Sequence, residues 1–117
     1  MSKRDTDLLL QDMKESAVKI LKYTEGFTFD DFLKDDKTID AVVRNFEIIG
    51  EASIRIDEDF KLENPQIEWK KLKGFRNRIV HEYFGIDYEI IWSILANELE
   101  ELIFQLDEIL KNGEEKK

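Results

Sequence analysis

Arg76-Asn77-Arg78-Ile79-Val80-His81-Glu82-Tyr83 places the only histidine of this 117-residue chain five residues after an arginine and two before a tyrosine. A guanidinium grips phosphate, an imidazole titrates near neutral pH, and a phenol offers a hydroxyl. A guanidinium beside an imidazole can serve metal-free phosphodiester chemistry. Cleaving RNA without a metal needs a base to take the 2′-hydroxyl proton and an acid to protonate the leaving 5′-oxygen. Imidazole, with a pKa near ~6.5, suits both roles. With one imidazole per chain, a two-histidine mechanism requires two chains. Arg76 would hold the scissile phosphate and offset charge growing on its oxygens. Asn77 would orient His81 or donate a hydrogen bond. Tyr83 would bind RNA or pass a proton, although a pKa of ~10 makes it a poor base at neutral pH.

Each residue also has a plainer reading. His81 can be an ordinary surface residue near a helix end. Arg78 and Glu82, at an i,i+4 spacing, can form an exposed ion pair, and Tyr83 and Phe84 can be core or dimer-contact aromatics. The five cations from Lys70 to Arg78, with no acid between Lys70 and His81, can be a solvated helix face.

The elements that must position these residues read as helices. Thr6 can cap a first helix to about Thr24, with Leu9, Leu10, Met13, Ala17, Ile20 and Leu21 on one face. Gly26 ends it, and a connector from Phe27 to Asp36 carries three phenylalanines and a short helical turn. Thr38 can cap a second helix to about Ile56, on which Ile39, Val42, Val43, Phe46, Ile49, Ala52 and Ile56 form a stripe. Asp57 to Pro65 reads as a polar loop, closed by a proline suited to a helix start. A third helix, Gln66 to Tyr83, carries the motif, with Ile67, Trp69, Leu72, Phe75, Ile79 and Val80 facing inward. Gly85 separates it from a fourth, Asp87 to Leu110, and the polar residues 110–117 are expected to fray. The pattern predicts one all-α domain over 1–117, an antiparallel up-and-down four-helix bundle with a short extra helical turn. In an undistorted third helix Arg76 and His81 stand ~140° apart around the axis and ~7.5 Å along it. Asn77 then shares a side with His81, and Tyr83 with Arg76. A twofold axis would set both polar edges beside their copies, which points to a homodimeric site.

Composition narrows the classes. The chain has no cysteine, which excludes disulfides and thiol nucleophiles, and a single histidine argues against structural zinc. No apolar run approaches the ~20 residues of a membrane span, and Met1 to Asp5 lacks the apolar stretch of a signal peptide, so a cytoplasmic protein is expected. A net charge of −9 argues against non-specific coating of nucleic acid. The charge is uneven: Asp87, Glu89, Glu98, Glu100, Glu101, Asp107 and Glu108 follow the basic stretch, with no base before Lys111.

The motif, in an acidic helical chain, resembles the HepT-like branch of the HEPN superfamily. Val42 to Ala52, ending in Ile49-Gly50-Glu51-Ala52, is similar to that family's second-helix signature. Trp69 and Gly74 to Phe84 are similar to its active-site block, and Asp87 and Trp92 fall where similar sequences open their last helix. The likeness runs from about Thr38 to Leu110, and no motif position departs from it. The resemblance implies a homodimeric, metal-independent endoribonuclease toxin without cofactor, its composite cleft using Arg76 and His81 of both chains. It implies a minimal nucleotidyltransferase antitoxin that transfers AMP from ATP to Tyr83, so that added phosphate and bulk beside Arg76 block RNA entry. Glu51 would be a further polar group of the cleft, or else a partner of Arg55 at i+4. Two other classes remain open from the residues alone: a non-catalytic HEPN subunit binding nucleotide or a nucleotidyltransferase partner, and a structural dimerisation bundle.

Overall fold

The computed structural model describes residues 2–81 and 85–115, the side chains of residues 81, 114 and 115 excepted. Helix α1 (Lys3–Tyr23) begins one turn earlier than the sequence suggests. Ser2 is its cap, accepting from the Asp5 amide at 3.1 Å, while Thr6 lies buried inside the helix and donates its hydroxyl to the Ser2 carbonyl. Both residue types suit a cap. Thr6 satisfies itself on the preceding turn instead, a common choice for a threonine within a helix. A short helix α2 (Phe29–Leu33) starts with a reciprocal Thr28–Asp31 capping box. Helix α3 (Asp36–Arg55) is capped by Asp35, whose carboxylate accepts from the Thr38 amide at 3.0 Å; the expected cap, Thr38, is the donor.

The stretch 57–65 is not simply a loop. It holds a short helix α4 (Glu58–Glu63), none of whose residues is buried. The next helix begins beyond Pro65, at Trp69. Asn64 organises the intervening turn, its carbonyl accepting from the Trp69 indole at 3.0 Å and its amide reaching the Phe60 carbonyl at 2.9 Å.

The expected third helix is the principal correction. It is two single-turn helices, α5 (Trp69–Lys73) and α6 (Phe75–Ile79), meeting at Gly74, and the chain then leaves the helix. Val80–His81 forms a strand, β1, antiparallel to β2 (Gly85–Ile86), with Val80 opposite Ile86 and His81 opposite Gly85. Gly85 has φ +74°, a conformation that glycine adopts without a Cβ clash. The Asp87 amide donates to the Ile79 carbonyl at 2.6 Å, which closes the end of α6. Asp87, expected as the first residue of the fourth helix, is instead the cap of α7 (Tyr88–Asn97), accepting from the Ile90 amide. A break at Glu98 leads into α8 (Leu99–Glu115), so the helix continues past Leu110 into the polar end. There the Lys3 ammonium donates to the Gly113 carbonyl at 3.0 Å.

Packing follows the apolar stripes. Helix α1 lies against α3 and α8, α3 against α5 and α6, and α7 against α8. Leu10, Met13 and Ile20 of α1, Phe46 and Ile49 of α3, Phe75 and Ile79 of α6, and Ile91, Ile94 and Leu99 of α7–α8 are almost wholly inaccessible. Each such side chain contributes about 1.5–3 kcal/mol relative to exposure. Trp69 and Val80, expected inside, are only half-buried. Phe29 and Phe32 of the connector pack on Trp92, their ring centroids 5.9 and 5.5 Å away, which fixes α2 against α7. No helix among the described residues is long and apolar enough to cross a membrane.

Candidate functional site

Two contacts hold α5 and α6 against α3. Phe75 meets Phe46 edge-on, centroids 5.2 Å apart and planes at 84°. Gly50 gives the closest approach: a Cβ there would lie 3.1 Å from the Leu72 carbonyl oxygen and 3.8 Å from that of Lys73. A hydrogen at this position lets the last carbonyls of α5 rest on α3 without the small displacement that a Cβ would demand. The Gly74 break follows immediately, and Arg76 and Asn77 emerge beside the residue after Gly50, which is Glu51.

The result is a groove of about 410 Å³ that gathers three of the residues singled out in sequence. Glu47, Gly50, Glu51 and Ile54 of α3 form one wall; Lys70, Lys73, Gly74, Arg76 and Asn77 form the other. Arg76, Asn77 and Glu51 are all exposed to solvent there. The Glu51 carboxylate faces Arg44 at 4.0 Å, two turns earlier on α3, rather than Arg55. Arg44 also meets Glu47 at 3.5 Å.

His81 is not on the helix of Arg76. Its backbone lies in β1, so the angular relation of an unbroken helix between the two residues does not hold, nor does the shared helical side of Asn77 and His81. The polypeptide changes from helix to strand between them because Ile79 closes α6 against Asp87, and Val80 pairs with Ile86. Glu82, Tyr83 and Phe84 lie outside the described residues, and so does the His81 side chain.

The basic run divides in two. Lys70, Lys73 and Arg76 line the groove and make no ion pair among the described residues. Lys71 and Arg78 turn the other way, to Glu98 at the α7–α8 break, at 3.9 and 3.2 Å. Arg78 also sits 5.8 Å over the Phe75 ring, and its Nη1 is buried without a hydrogen-bond partner among the described residues. It fastens α6 to the last helices. Helical spacing offers Glu82 as a partner, and that residue lies outside the described ones; the Glu98 contact, twenty residues away, is invisible to such spacing.

A family model described as ribonuclease HepT-like matches residues 13–109. The chain belongs to the ribonuclease HepT-like family. The matched segment of this HepT-like chain begins within α1, ends within α8 and contains every residue of the groove. A Methanocaldococcus jannaschii protein named "Putative RNase" is 44% identical over 114 residues, covering 97% of this chain and 94% of its own length. A Thermococcus cleftensis protein named "Probable ribonuclease HepT" is 37% identical over 109 residues, covering 93% and 99%. A third relative, a "Putative RNase" of Caldanaerobacter subterraneus, is 36% identical over 102 residues, covering 87% and 91%. No solved structure matches the chain.

Proposed function

We propose that this HepT-like protein is a cytoplasmic, metal-independent endoribonuclease toxin that works as a homodimer. In this reading α1, α3, α5–α6 and α7–α8 serve as the four limbs of an up-and-down bundle. The composite cleft is built from Arg76 and His81 of two copies. The observation that carries the reading is the convergence of Arg76, Asn77 and Glu51 on one solvent-open groove, just before the chain runs into the strand of His81.

Arg76 is free of protein carboxylates among the described residues and open to solvent, which suits a guanidinium whose partner is a substrate phosphate. One imidazole takes the 2′-hydroxyl proton, and the 2′-oxygen attacks phosphorus. The bond to the 5′-oxygen breaks, and that oxygen takes a proton from the second imidazole, in its protonated form. The products are a 2′,3′-cyclic phosphate and a 5′-hydroxyl, and Arg76 offsets the charge on the pentacoordinate phosphorus oxygens. Asn77 donates a hydrogen bond to the substrate, and Glu51 is a further polar group of the cleft that can accept from a sugar hydroxyl. Silencing follows from a nucleotidyltransferase antitoxin that joins AMP to Tyr83.

The test is cleavage of a mixed RNA by purified protein in EDTA, with His81→Ala alongside and the intact mass of each sample recorded first. Cleavage by unmodified wild type alone is expected. Absence of cleavage by an unmodified dimer, or equal cleavage by His81→Ala, would overturn the assignment. The net charge of −9 favours the second reading, a non-catalytic subunit of a nucleotidyltransferase complex, which retains partner binding without cleaving RNA.

A further inference from the structure

We infer that Lys70 and Lys73 form a phosphate-binding rail for single-stranded RNA, seating backbone phosphates on one side of the phosphate held by Arg76. The inference rests on the ribonuclease reading and extends it from the scissile bond to the strand around it.

Five cations lie between Lys70 and Arg78, and the fold uses them differently. Lys71 and Arg78 are committed to Glu98, and Lys71 also to Glu68 at 3.0 Å. Lys70, Lys73 and Arg76 recur every third residue, line the same groove, and have no carboxylate partner among the described residues. The chain carries nine more acidic charges than basic ones, so three neighbouring cations without an acid are conspicuous. An acidic protein that merely needed a solvated face could pair them as it pairs Lys14, Lys19 and Lys61.

The opposite wall gives the groove polarity. Glu47 and Glu51 stand there, and Arg44 reaches both, which lowers their repulsion of an anion without making that wall attractive. A polyanion entering the groove is therefore drawn to the α5–α6 wall. Three cations along one groove, Arg76 among them, suit a chain bearing one negative charge per nucleotide. Each lysine ammonium acts as a point charge with three donors, tolerant of sequence, whereas the forked guanidinium fixes a single phosphate.

The experiment measures the affinity of the full-length His81→Ala protein for a short, labelled, mixed-sequence single-stranded RNA across a salt series. The comparison proteins carry Lys70→Gln, Lys73→Gln, or both, in the same background, with Lys19→Gln as a control. The slope of log affinity against log salt should become shallower by about 0.7 for each phosphate left without its lysine. Unchanged thermal melting is expected, because neither lysine is held by a carboxylate of the described residues. Slopes equal to that of the control would overturn the rail. Wild-type cleavage of the same RNA is scored in parallel. Cleavage with unaltered slopes rejects the rail and leaves the ribonuclease standing. Shallower slopes without wild-type cleavage keep the rail and remove the ribonuclease. No RNA binding at all overturns both.

Discussion

Two arginines separated by one residue have opposite employments. Arg76 is exposed and has no carboxylate partner among the described residues, so Arg76→Ala should abolish RNA cleavage while shifting stability by no more than about 0.5 kcal/mol, read from urea unfolding. Arg78 is half-buried, pairs with Glu98 at 3.2 Å and covers the Phe75 ring. Arg78→Ala should lower stability by about 1 kcal/mol, because it removes a partly screened ion pair and a cation–π interaction. Lysine at 78 should recover only part of that, since it lacks the planar fork. Equal effects of the two alanine substitutions on unfolding would contradict this division. In sequence the pair looks interchangeable. The motif points to Arg76 by its distance from His81, and nothing in the spacing reveals that Arg78 answers to a carboxylate in the last helices.

At the scale of the element, the long helices are legible because their apolar residues recur at three and four over many turns. Leu9 to Ile20 and Ile39 to Ile56 fall on the faces expected. The third helix reads as unbroken for a physical reason: Leu72, Phe75 and Ile79 stay in helical phase across Gly74, so the stripe conceals the break. Strands of two residues are too short to show alternation, and α4 buries nothing, so neither leaves a pattern to find. Of the site, Glu51 can be joined to Arg76 only through family resemblance, since their proximity depends on Gly50 lying beneath the Leu72 carbonyl. Gly50→Ala should therefore press the Leu72 carbonyl, and α5 with it, back by a few tenths of an ångström. It should lower stability by about 1–3 kcal/mol and reduce cleavage more than an exposed substitution elsewhere on α3 does. Caps carry a pH signature as well. Hydrogen bonds from Thr38, backbone first, hold the Asp35 carboxyl below its usual range, and those from Thr28 do the same for Asp31. Their folded pKa lies under that of the unfolded chain, ~3.9, so the stabilisation is complete above about pH 4 and is lost as pH falls through the folded value. Asp35→Asn keeps an acceptor without the charge, so its urea midpoint should fall less than that of wild type between pH 7 and pH 3.

At the scale of the molecule, charge and symmetry act together. Net charge of −9 repels RNA at long range, so attraction has to be local, and Lys70, Lys73 and Arg76 sit together on one wall. A dimer would set two such walls and two histidines about one axis. Sedimentation should report twice the 13.9 kDa of the chain, and a mass of one chain in a cleaving sample would contradict the composite cleft. Mixing wild type with His81→Ala protein should give heterodimers with a single imidazole that do not cleave, so activity should fall more steeply than the wild-type share of the chains.

The passage from helix to strand between Ile79 and His81 also sets a rule about length. In a helix, an extra residue turns everything beyond it by a fraction of a revolution. In a ladder where His81 faces Gly85 and Val80 faces Ile86, it exchanges the two faces outright. The count of residues separating arginine from histidine is thus enforced by pairing parity. An alanine inserted after Ile79 would set Val80, in place of His81, opposite Gly85 while leaving Arg76 where it is.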